Sequence, residues 1–97
     1  MAQVAQAREL RGRIEGFLTY ALDEWASVPE YTAEFQSWDD VQQLDFLQEW
    51  AIRESALEVL RDYATRDVLT PEQRGRYEQL EQLVTLHRPA VQQLLAD

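Results

Sequence analysis

Apolar residues recur along this chain at steps of three and four, and no stretch alternates with period two. That pattern predicts helices throughout and no strands. The first helix is expected over about residues 3–26. Val4, Ala7, Leu10, Ile14, Phe17, Leu18, Ala21, Leu22 and Trp25 form one wide apolar face there. Gly12 and Gly16 lie inside it at i, i+4 spacing. Each is unfavourable by roughly 1 kcal/mol relative to Ala, and the pair would permit a close helix approach.

The remaining helices are delimited by capping signals. All three serines begin a Ser-x-x-acid pattern: Ser27 with Glu30, Ser37 with Asp40, and Ser55 with Glu58. Such a box would satisfy two free N–H groups at a helix start. Thr70-Pro71-Glu72-Gln73 is a fuller signal, with a cap, a Pro at the first helical position, an acid in the first turn and Gln at the third. These marks predict a short helix near 29–36 and a long one from Trp38 or Asp39 to about Thr65. The long helix is expected to be continuous, with a kink near 52–55 if Ser55 acts. The last helix should start at Pro71. Pro89 lacks a backbone donor and clashes with the carbonyl four residues earlier, so a kink or restart is expected there. Val91, Leu94 and Leu95 complete the last apolar face. Short connections imply antiparallel neighbours. The expected fold is all-α: a single domain over 1–97, a small antiparallel bundle of three long helices with one short helix and a kinked C-terminal extension.

Charge changes this picture more than composition does. Between Arg13 and Arg53 there is no Lys or Arg, yet there are nine carboxylates, and the whole chain carries a net charge of −9. Eight of the ten aromatic residues fall in or beside the same window. A surface of one sign selects partners of the other. Direct binding to nucleic acid or to an anionic membrane is therefore not expected. The chain has no Cys, which fits a reducing compartment, and MAQVAQARELRGR has no apolar leader segment. A cytoplasmic setting is expected.

Catalytic and metal-binding signatures are missing. The only His, His87, follows Val84 by three residues, so no Glu-x-x-His pair for a di-iron bundle exists. One His and no Cys cannot assemble a zinc site of those ligands. A Ser-His-acid set would need a serine better explained as a cap. His87 beside Arg88 is read as a helix-terminal cation favoured by the macrodipole. Asp39, Asp40 and Asp45 lack the spacing and Gly of an EF-hand. Neither an enzyme, a cofactor nor a metal site is expected.

The aromatics divide. Phe17, Trp25, Phe46 and Trp50 fall on apolar stripes and are read as core. Tyr31, Phe35 and Trp38 lie near a chain reversal, where they either form a contact surface or plug the bundle end. Candidate partner-binding residues are Glu30, Tyr31, Glu34, Phe35, Trp38, Asp39 and Asp40, with the acids pairing to Arg or Lys and the aromatics supplying hot spots. The function expected first is a non-enzymatic binding module, a small accessory or regulatory protein of bacterial type. It would be antitoxin-like in masking a basic protein partner. Two alternatives are a nucleic-acid mimic that blocks a DNA- or RNA-binding protein, and a homo-oligomeric building block that dimerises through the wide first-helix face.

Overall fold

The computed structural model describes residues 2–96. Four helices follow in order: α1 (Ala2–Ala26), α2 (Val28–Glu34), α3 (Asp40–Thr65) and α4 (Pro71–Ala96). A single 3-10 turn, Phe35–Ser37, joins α2 to α3. No strand occurs among the described residues. The fold is all-α, as the periodicity predicts.

Contacts between helices set the topology. Gln73 and Arg76 of α4 reach Arg11, Glu15 and Thr19 of α1, and the Arg88 guanidinium lies 5.4 Å from the Trp25 ring centroid. Residue numbers rise together, so α1 and α4 run parallel. Arg53 meets Glu24, Arg61 meets Glu81 and Arg88 meets Glu54, so α3 runs antiparallel to both. The result is an up-down-up bundle measuring 52 × 24 × 18 Å, with α2 folded across one end against α4. The wide apolar face of α1 is shared between two neighbours. Ile14, Leu18, Ala21 and Trp25 are buried in the common core with Leu57, Leu60, Leu80 and Val84, while Phe17 and Tyr20 face a groove toward α3.

The helix starts explain which capping signals act. Thr70 and Gln73 form the expected reciprocal box: Gln73 N–H donates to Thr70 Oγ1 at 3.1 Å and Thr70 N–H donates to Gln73 Oε1 at 3.0 Å. None of the three serine hydroxyls caps a helix, although Ser27 stands at the N-cap position of α2 as its pattern predicts. Ser27 has helical backbone angles (φ −86°, ψ −4°), which aim its hydroxyl backward onto the Asp23 carbonyl at 2.9 Å. Ser37 does the same to Glu34 at 2.6 Å. Ser55 lies within α3. A capping residue needs extended angles, and Asp39 has them (φ −73°, ψ 173°); it caps α3 in a box with Gln42.

Helix α3 ends on a left-handed residue, Asp67 (φ 60°). Val68 N–H donates to Tyr63 O and Asp67 N–H to Ala64 O, the paired bonds of a Schellman end. Aspartate tolerates that conformation better than most residues. Pro89 does not restart α4, which is continuous to Ala96. Buried Val84 and Val91 lie on either side of it, and Arg88 is held by Glu54 at 3.0 Å. Packing on both sides outweighs the lost backbone bond.

Candidate partner surface at the acidic end

The end of the bundle formed by α2 and the start of α3 is built around aromatic rings. Phe46 meets Tyr31, Phe35, Trp38 and Trp50 at centroid distances of 5.4, 5.9, 5.5 and 5.7 Å. Trp50 continues edge-on to Trp25 at 5.0 Å, a favoured arrangement of two ring quadrupoles. Gln43 fastens the turn to α3 by donating Nε2 to the carbonyls of Phe35 (2.9 Å) and Trp38 (3.3 Å).

One cation serves this cluster from within. The Arg53 guanidinium lies 5.5–5.7 Å from the ring centroids of Tyr31, Phe46 and Trp50. Its Nε donates to Glu24 Oε2 at 2.7 Å, and the Tyr31 hydroxyl donates to the same oxygen at 2.8 Å. Burial works against the Arg53 charge, but the Glu24 hydrogen bond and charge outweigh it and hold the guanidinium above its ordinary pKa. Burial raises the Tyr31 pKa, and Glu24 raises it further.

The proposed contact residues separate into three environments. Phe35 is buried in the core, and Tyr31 and Trp38 are half-buried against it. Glu30, Glu34, Asp39 and Asp40 are exposed, with Asp39 also capping α3. Outside the rings runs a cleft of ≈ 370 Å3, lined by Tyr31, Trp38, Gln42, Asp45, Glu49 and Arg53 among others. Gln42, Asp45, Glu49 and Arg53 were not among the sequence candidates. The i, i+3, i+4 relation of residues 42, 45, 46 and 49 places them on one face of a helix starting at Asp40, and that spacing is the signal that could have found them. Glu30, Glu34, Asp40 and Asp45 form no ion pair among the described residues, and Glu49 has only a 3.9 Å contact to Arg53. The arrangement thus offers unpaired negative charge around a half-buried Trp.

Among the described residues no group of three or more His, Asp or Glu side chains is gathered to hold a metal ion, and no helix is long and apolar enough to cross a membrane. No family model matches the sequence, and no curated protein or solved structure matches it.

Proposed function

We propose that this chain is a non-enzymatic protein-binding module that masks a basic partner with the acidic end formed by α2 and the first half of α3. The observation that carries the reading is the exposure of Glu30, Glu34, Asp40 and Asp45 without a cation of their own, with Asp45 on the cleft that the half-buried Trp38 lines. The basic group on that cleft, Arg53, is already engaged by Glu24. Exposed charge of one sign steers an opposite partner over a Debye length of about 8–10 Å. Aromatic side chains at the centre then slow its release.

The test is affinity capture by the full chain from native lysate, with stepwise salt elution, compared with Glu30→Gln/Glu34→Gln/Asp45→Asn/Glu49→Gln. A basic protein retained at low salt, released by salt and lost on the neutralised variant supports the reading. Equal capture by both proteins at high salt refutes it.

A further inference from the structure

A second concavity lies away from the aromatic cluster. Between α1 and α3 runs an apolar groove of ≈ 530 Å3, lined among others by Gly12, Gly16, Phe17, Tyr20, Ile52 and Val59. Ile52 is 63% exposed. A Cβ built on Gly12 or Gly16 meets nothing within 4 Å. These glycines therefore do not serve close packing inside the chain; they leave an open floor on which another backbone can lie.

The groove continues as a stripe on α3. Val41, Leu44, Gln48, Ile52, Ser55 and Val59 follow at steps of three and four and carry no charge. Val41 and Leu44 are 68% and 54% exposed. By helical spacing, acids flank the stripe on both sides, Asp45 and Glu49 on one and Asp40 and Glu58 on the other. The basic residues of α3 do not offset them: Arg53 and Arg61 are paired with Glu24 and Glu81. An exposed apolar strip rimmed by polar groups is the form of a docking face.

We propose that this groove and stripe seat an amphipathic helix from a partner, with Lys and Arg flanking its apolar face. The proposal rests on the basic-partner reading above and names the element that would dock. Charge complementarity selects the occupant. A second copy would bring a chain of charge −9 against another and set carboxylates against carboxylates, whereas a basic helix pairs with all four flanking acids. The span from Val41 to Val59 is about 27 Å at 1.5 Å per residue, the length of a helix of about 18 residues. Arg13, the one basic side chain on the groove lining after these pairings, stands at the end farther from Glu49. It favours the guest's C-terminus, the negative end of a helix dipole.

The proposal is tested by titrating the isotope-labelled full chain with a designed peptide and following backbone resonances. The peptide has about 18 residues, with Leu at i, i+3, i+4 and i+7 and Lys and Arg on either side. One control scrambles the order at the same charge, and another replaces Lys and Arg by Glu. Shifts should concentrate at Gly12, Gly16, Tyr20, Ile52 and Val59. Gly16→Leu, which fills the groove from an open site, should weaken binding about tenfold or more with no loss of melting temperature, and Ile52→Glu should do the same. Both controls should bind at least about tenfold more weakly. Shifts confined to Trp38 and Gln42, or unchanged affinity in Gly16→Leu, overturn the groove and leave the basic-partner reading standing. Equal binding of the acidic peptide overturns it as well. A dimer in sedimentation that Gly16→Leu dissolves assigns the groove to a second copy and overturns it. If neither basic peptide shifts any resonance at millimolar concentration, the groove proposal falls, while the basic-partner reading is decided by the salt-sensitive capture.

Discussion

Arg53 and Glu24 meet at 2.7 Å across α3 and α1, with side chains only 11% and 17% exposed. The pair closes the inner side of the aromatic cluster. Removing one partner leaves the other charge poorly solvated, an effect of about 3 kcal/mol or more. Glu24→Gln should therefore lower the denaturant midpoint sharply. Arg53→Met keeps much of the stem packing on Tyr31, Phe46 and Trp50. The double variant should be clearly more stable than the sum of the two single losses, with a coupling of roughly 1–3 kcal/mol in a double-mutant cycle. Strict additivity would show that the pair is not energetically joined.

The same oxygen of Glu24 accepts from Tyr31, which links stability to alkaline pH. Burial, and then Glu24, raise the folded phenol above its ordinary pKa of 10.0, with Arg53 opposing. The unfolded chain titrates at the ordinary value. Stability from this group is thus fully present below pH 10.0 and is lost as pH rises through the higher folded value. Tyr77 shifts in the same direction, through burial and Glu81. Melting temperatures should stay level near neutrality and fall above pH 10.0, less steeply in Tyr31→Phe/Tyr77→Phe. Tyrosinate absorbance should rise later in the folded protein than in denaturant.

Gln73 is the one fully buried polar side chain among the described residues. It caps α4 with Thr70 and also donates Nε2 to the Arg11 carbonyl (3.3 Å) and to Glu15 (3.1 Å). A local capping box thereby becomes the tie between α4 and α1. Thr70→Ala should cost about 1 kcal/mol. Gln73→Ala should cost about 2 kcal/mol, because it also strands the buried groups Gln73 had satisfied. Equal losses in chemical denaturation would reduce Gln73 to a capping role alone.

The contrast between Thr70 and the serines shows what was legible in the sequence. Apolar periodicity located the three long helices, because burial acts on a whole face at once; the short α2 was placed by capping marks. Thr70 was readable because Pro71 and Gln73 reinforced it within one turn. Ser27 and Ser37 matched the same pattern but sit in helical backbone: Ser27 because α1 continues almost directly into α2, and Ser37 because it closes the 3-10 turn between α2 and α3. Of the kink or restart expected at Pro89, the restart does not occur: Val84 and Val91 bury on either side and α4 runs through it. The acidic, aromatic character of the α2–α3 end was legible from the distribution of charge and of aromatic residues along the chain. The occupation of its rings by Arg53 was not, since that depends on α1 and α3 crossing at Glu24, 29 residues away.

Trp38 separates binding from folding. Its ring is half-buried, 5.8 Å from Phe35 and 5.5 Å from Phe46, so Trp38→Ala should cost about 1–3 kcal/mol of stability through lost packing. Binding must then be measured well below the lowered melting temperature. Under those conditions a hot-spot Trp should show itself as faster dissociation with little change in association. Asp45→Asn/Glu49→Gln should do the reverse, slowing association and flattening its salt dependence, while the melting temperature barely moves because exposed charges contribute little to stability. The decisive comparison uses the partner recovered by salt-sensitive capture, with association and dissociation rates measured for both variants at low and high salt. Loss of stability in Trp38→Ala with unchanged dissociation would make the ring a plug of the bundle end. Unchanged association in the neutralised pair would remove residues 45 and 49 from the working surface.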